Sequence, residues 1–163
     1  MNQRPAFAEL AERHRPEILR YLTRLLGNEA DAQDVCQDVF LRAQQAFVRL
    51  APDSNSRAWL YRIATNGALN SKRQRSRFAA RAADVDLDTL PAAAVTESND
   101  ELRALRRAVQ MLPARQRAAL MLRRFHDMSY AEIAASVGGN QATARANVYQ
   151  AIKKLRAALG GEQ

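Results

Sequence analysis

Apolar side chains return every three or four positions along most of this 163-residue chain and never alternate with polar ones for more than a few residues. That period belongs to helices and excludes an ordinary sheet. Alanine, leucine, arginine and glutamine, all good helix formers, dominate the sequence, and β-branched residues are sparse. The helical runs are short and separately punctuated, which favours an all-α chain of two small helical domains over one large bundle.

The first run carries Phe7, Leu10, Ala11 and His14 at helical spacing up to Pro16, where a missing N–H should end or kink the helix. A second stripe then follows through Ile18, Leu22, Leu25 and Leu26. Gly27 is placed to close it in a left-handed conformation, and Asn28 can cap a helix beginning near Glu29. That helix has Val35, Cys36, Val39, Phe40, Ala43 and Phe47 on its apolar face, with Asp31, Asp34, Gln37 and Asp38 on another. Residues 51–56 are turn formers, and Ser56 is expected to cap the next helix. Trp59, Leu60, Ile63, Ala64 and Gly67 give this helix a buried side. Arg62, Asn66, Asn70 and Arg73 line another, ahead of a basic tail.

Residues 82–100 are acidic, alanine-rich, interrupted by Pro91 and without a sustained apolar stripe, so they read as a linker. Helical patterning resumes at Glu101, stops at Pro113 and restarts through Ala118, Leu122 and Phe125. Ser129 and Glu132 form a capping box at the start of a short helix to Val137. Gly138 and Gly139 make a turn, and a longer helix runs from about Gln141 to Leu159.

Charge is segregated along the chain. The net charge is +8. Residues 1–50 hold seven basic and seven acidic side chains, 51–81 seven and one, 82–101 none and six, and 102–163 eleven and three. Two basic blocks around an acidic stretch point to a polyanionic partner. One cysteine and two distant histidines, His14 and His126, support neither a disulfide nor a zinc site, and no cofactor is expected. Cys36 falls on an apolar face, which favours burial over redox sensing. No window approaches the ~18–20 apolar residues of a membrane span, and residues 1–20 lack an export signal, so membrane insertion is not expected and a cytoplasmic location is.

A short helix, a glycine turn and a longer basic helix outline a helix-turn-helix. In the longer helix Ala144, Val148, Ala151, Ile152, Leu155 and Leu159 should pack inward, while Thr143, Ala146, Asn147, Gln150 and Lys153 point away. Asn and Gln can bond adenine edges, and a threonine methyl can touch a thymine methyl. Arg115, Arg117, Arg123, Arg124, Lys153 and Lys154 would supply cations for phosphate, with Arg145 on the flank. The stripe Arg62, Asn66, Asn70 and Arg73, beside Trp59 and Tyr61, is a second candidate surface. There amides would bond exposed bases and an aromatic ring could support an unstacked one. The tryptophan is nonetheless more in keeping with core packing. The aspartate stripe lacks a catalytic partner, a nucleophile or a phosphate-cradling loop, which leaves a solvated face or a docking face for a basic protein. No enzyme is expected.

Four stretches then fall in a telling order: Asp31-Ala-Gln-Asp-Val-Cys-Gln-Asp-Val-Phe-Leu-Arg-Ala, Arg57-Ala-Trp-Leu-Tyr-Arg-Ile-Ala-Thr-Asn, Leu112-Pro-Ala-Arg-Gln-Arg and Ser129-Tyr-Ala-Glu-Ile-Ala-Ala-Ser-Val-Gly. Together they resemble the extracytoplasmic-function group of the bacterial sigma-70 family, promoter-recognition subunits of RNA polymerase. The resemblance implies a region 2 domain over 1–80, a flexible linker over 81–100 and a region 4 domain over 101–163. It implies docking of Asp31, Asp34, Gln37, Asp38 and Leu41 on the beta-prime clamp of core RNA polymerase, with the beta flap as a second contact. Asn55, Ser56, Trp59, Arg62, Asn66, Asn70 and Arg73 would take the melted minus-ten strand of promoter DNA. Arg124, Thr143, Arg145, Ala146, Asn147, Gln150 and Lys153 would read the minus-thirty-five duplex. An anti-sigma factor is implied as a further partner. The recognition helix departs from the usual pattern at Ala144, Ala146, Asn147 and Gln150, so promoter sequence does not carry over. With the chain ending soon after Leu159, no further C-terminal domain is expected. The rival readings are a stand-alone helix-turn-helix repressor or activator, a nucleic-acid-modifying enzyme and a purely protein-binding regulator.

Overall fold

The computed structural model describes residues 6–81 and 100–160, with side chains from 6–71 and 100–160. All regular structure among the described residues is helical: α1 (Phe7–Leu26), α2 (Glu29–Ala46), a 3-10 turn (Phe47–Arg49), α3 (Ser56–Arg81), α4 (Asp100–Met111), α5 (Ala114–Phe125), α6 (Tyr130–Val137) and α7 (Gln141–Ala158). The acidic stretch read as a linker lies outside the described residues.

Helices α1, α2 and α3 pack as one three-helix unit. Pro16 does not end α1. The buried residues Leu10, Ala11, Ile18, Tyr21, Leu22 and Leu25 form one continuous face across it, and packing of that face on α2 and α3 outweighs the loss of one backbone bond. Gly27 (φ +74°) closes α1 with its N–H on the Thr23 carbonyl, and Asn28 caps α2 by accepting from the Asp31 N–H. Val35, Cys36, Val39, Phe40 and Ala43 of α2 are buried as the apolar stripe required. The Cys36 thiol is pushed up by that burial.

The cap of α3 is Asn55, not Ser56. Asn55 Oδ1 accepts from the Ala58 N–H at 3.0 Å and its carbonyl from the Trp59 N–H, so Ser56 is the first helical residue. Trp59 is half-buried, its ring 6.3 Å from that of Phe47, which packs in turn on Phe7. Gly67 lets α3 approach α2 closely: a Cβ there would stand 3.2 Å from a Val39 methyl.

The second unit is α4–α7. Ile133, Ala134 and Val137 of α6 and Ala144, Val148 and Ala151 of α7 share its core with Ala118, Leu122 and Met128. The Ser129–Glu132 capping box is formed in both directions, and the glycine turn uses φ +103° and +87° at Gly138 and Gly139. Leu159 departs from expectation. It is 46 % exposed, because the last turn of α7 runs past the helices that cover Val148 and Ala151. Phe125 is also exposed, capped by the Arg24 guanidinium 4.3 Å from its ring centroid.

The two units are packed against each other, α3 on α6 and α1 on α5.

Candidate nucleic-acid interface

The turn Gly138–Gly139 delivers α7 with its N-terminus capped by Asn140. The Asn140 Oδ1 accepts from both the Thr143 N–H (2.9 Å) and the Thr143 hydroxyl (3.0 Å). That fixes the threonine rotamer with its hydroxyl satisfied and leaves the methyl as the group free for apolar contact. Thr143, Ala146, Gln150 and Lys153 are exposed on the face opposite Ala144, Val148 and Ala151, and Asn147 is half-buried beside them. Arg145 is exposed with its guanidinium over the Tyr130 ring at 5.1 Å, and Arg124 and Arg115 are exposed on α5. Arg123 is exposed but already bonded to the Met128 carbonyl and stacked on Tyr130.

Arg117 is not a phosphate cation. It is 2 % exposed and donates to the carbonyls of Val109, Gln110, Leu112 and Leu25. Burial lowers its pKa from the usual arginine value. The guanidinium is held by the carbonyl ends of α4 and α1, where the helix dipoles favour a cation.

On α3, Arg62, Asn66 and Asn70 are exposed along one face as their spacing requires, and the side chain of Arg73 lies outside the described residues. Arg62 and Asn66 also face the second unit. They line a cleft of about 440 Å³ whose other wall is Arg115, the end of α6 and the Gly138–Gly139 turn. Asn55 is held at the same boundary, donating from Nδ2 to Glu132 Oε2 at 2.9 Å. Ser56 is half-buried. Tyr61 is no stacking platform: it is fully buried, because the second unit packs over it. Asn70 instead shares a groove of about 210 Å³ with Asp31, Asp34 and Asp38 between α2 and α3. Gln37 and Leu41 are exposed outside that groove, Leu41 to 54 %.

The boundary between the units holds the polar groups that sequence reasoning missed. Glu17 accepts from His14 Nδ1 (2.7 Å) and from Arg57 (3.2 and 3.4 Å); burial alone would raise its pKa, but these bonds hold it below the usual carboxylate value. Arg57 also donates to the His126 carbonyl at 3.0 Å and lies over the Tyr61 ring. The Tyr61 hydroxyl meets His126 Nδ1 at 2.7 Å. Thr65 donates to the Tyr61 carbonyl and so receives the Tyr21 hydroxyl, both at 2.7 Å. The contacts between helices join residues 40 to 69 apart in sequence, so only a lone histidine and an arginine one turn before a tyrosine could have signalled them.

Comparison with known proteins places this architecture. The Sigma-70 region 2 family matches residues 10–78 and the Sigma-70, region 4 family residues 102–155. The chain belongs to the sigma-70 family of RNA polymerase sigma factors, in its extracytoplasmic-function group. It is 33 % identical to the RNA polymerase sigma factor CarQ of Myxococcus xanthus, over 95 % of this chain and 90 % of that one. It is equally identical to the ECF sigma factor SigE of Mycolicibacterium smegmatis over 93 % of this chain, but spans only 61 % of that longer protein. Among solved structures, the sigma factor RpoE of Bartonella quintana, in complex with the anti-sigma factor NepR, superposes with a TM-score of 0.80 at 26 % identity, covering 96 % of this chain and 98 % of that one. CnrH bound to the cytosolic domain of CnrY gives 0.69 at 29 % identity, covering 99 % and 92 %. A sigma factor directs polymerase to promoters and is not itself an enzyme. Among the described residues, no helix is long and apolar enough to cross a membrane.

Proposed function

We propose that this sigma factor divides its work between the two units, α1–α3 gripping polymerase and a melted strand, α4–α7 reading closed duplex. The observation that carries the reading is the face of α7: Thr143, Ala146, Gln150 and Lys153 stand exposed, backed by small buried residues and aimed by a capped N-terminus. Asn147 and Gln150 are the base readers of the minus-thirty-five element, with Arg124, Arg145 and Lys153 on its phosphates. Asn55, Ser56, Arg62, Asn66, Asn70 and Arg73 take the minus-ten strand, with Trp59 bracing the loop from below rather than stacking on a base. Asp31, Asp34, Gln37, Asp38 and Leu41 dock on the beta-prime clamp of core polymerase, and the C-terminal unit meets the beta flap. Residues 1–80, 81–100 and 101–163 are the corresponding domain, linker and domain, and the protein works in the cytoplasm beside polymerase.

The packed arrangement is a resting one. Two elements some 25 nucleotides apart are separated by roughly 85 Å of duplex at about 3.4 Å per step, whereas Asn55 here touches Glu132. One molecule in this form cannot hold both. Since RpoE was solved bound to NepR with both units superposing on this chain, an anti-sigma factor that holds the packed form fits this protein as well.

Run-off transcription with purified core polymerase tests the reading: site-selective initiation supports it, and tight duplex binding without polymerase but no initiation refutes it. Asn147→Ala or Gln150→Ala should relax minus-thirty-five preference by about 1 to 3 kcal/mol per lost bidentate contact, measured as competition between wild-type and altered promoters. Asn66→Ala should weaken open-complex formation more than duplex binding. Permanganate footprints of unchanged intensity would count against that role.

A further inference from the structure

His126 belongs to the second unit but is sealed into the first. It is 7 % exposed, follows the end of α5, and lies edge-on to Tyr21 and against Tyr61, with ring centroids 5.6 and 4.9 Å away. Its Nδ1 is taken by the Tyr61 hydroxyl, while its Nε2 is buried with no hydrogen-bond partner. Its backbone carbonyl receives Arg57, which Glu17 anchors. A neutral ring fits: it presents one N–H and one lone pair, and leaves at most one buried atom unsatisfied. An imidazolium carries N–H on both nitrogens, so one of them would be buried against no acceptor, a costly arrangement.

We propose that the packing of the two units is latched by neutral His126, and that proton uptake by this imidazole drives the units apart. The charged groups facing it come from both elements that cover it. Helix α1 supplies Glu17, Arg20 and Arg24, with His14 behind Glu17; α3 supplies Arg57; Tyr21 and Tyr61 are held neutral by burial. One carboxylate, already shared by Arg57 and His14, stands against three guanidiniums, so the local field does not rescue the cation. Burial, with those arginines, brings the His126 pKa from 6.5 down to about 4. The sign follows: a group depressed in the packed form and ordinary in the open one favours packing above pH 6.5 and loses that contribution as pH falls toward 4. Opening also frees Asn55, Arg62 and Asn66, and the gain in promoter access that this brings rests on the minus-ten role proposed above.

The separation can be read without transcription, by electron-resonance distances between spin labels on Val48→Cys and Tyr149→Cys, both exposed positions, in a Cys36→Ala background. The ratio of open to packed molecules should rise about tenfold between pH 7.5 and 5.5. His126→Gln, neutral throughout, should give the same ratio at both values, whereas His14→Gln should keep the response. The proton resonances of the two imidazoles in the unsubstituted protein give a second readout, in which His126 should titrate well below an ordinary histidine. A wild-type ratio that ignores pH, a His126→Gln protein that still responds, or a normal His126 titration each overturns the latch. None of these touches the assignment of promoter contacts, which the run-off assay decides separately.

Discussion

Arg117→Met should destabilise the C-terminal unit by about 3 kcal/mol, the upper end of the cost of leaving buried acceptors without a donor. Four carbonyls converge on this guanidinium, three from the end of α4 and its turn, and one, from Leu25, out of the other unit. They belong to the last turns of α4 and α1, where helical carbonyls run short of backbone partners, although the Val109 oxygen also accepts from the Leu112 N–H. Methionine fills much of the volume but offers no donor, so the oxygens lose their bonds in a site that is 2 % exposed. Lysine restores the charge without the planar fork and should recover only part of the loss. Urea denaturation followed by helical circular dichroism measures both variants. A methionine variant within 1 kcal/mol of wild type would show that water replaces the guanidinium freely. The Leu25 bond predicts a second signature: the spin-label distance between the units should broaden in Arg117→Met even where both remain folded.

Arg117 also marks where sequence reasoning stops. A sequence displays charge but not burial, and an arginine one helical turn into a basic segment reads as a phosphate contact until the carbonyls around it are seen. Features set by near neighbours were legible. The Gly27 stop, the Asn28 cap, the Ser129–Glu132 box and the Gly138–Gly139 turn all depend on residues within four positions of one another. The family was legible for the same reason, since its motifs are local. Asn55 and Ser56 were confused because both are good cap residues and nothing in their spacing ranks them; the Ala58 N–H decides for Asn55. Pro16 was read by its local cost alone, while the apolar face that carries α1 through it is a tertiary effect. What Tyr61, Arg57 and Glu17 bond to could not be read. Their partners lie in another helix or in the other unit, and only the packing of α1 and α3 on the second unit gives them a meaning.

The acidic face of α2 carries the largest expected effect on function. Asp34 and Asp38 are exposed one turn apart, and Leu41, an apolar side chain left 54 % in solvent, stands on the next turn. An apolar anchor bordered by carboxylates is what a basic, partly apolar partner surface would select. The double reversal Asp34→Arg with Asp38→Arg should therefore weaken binding to core polymerase by about a hundredfold, near 3 kcal/mol, since two attractions become two repulsions. Leu41→Ala alone should cost less, about 1 kcal/mol or more, through lost apolar burial. Stability should stay within about 0.5 kcal/mol in both, because the substituted side chains point away from the buried stripe of α2. Fluorescence titration of labelled protein with core enzyme reads the affinity, and repeating it at raised salt separates the two contributions. The wild-type advantage over the double reversal should shrink as salt screens the carboxylates, while the Leu41 contribution should persist. Undiminished affinity of the double reversal would remove this face from the docking surface and leave the aspartates as solvated charges.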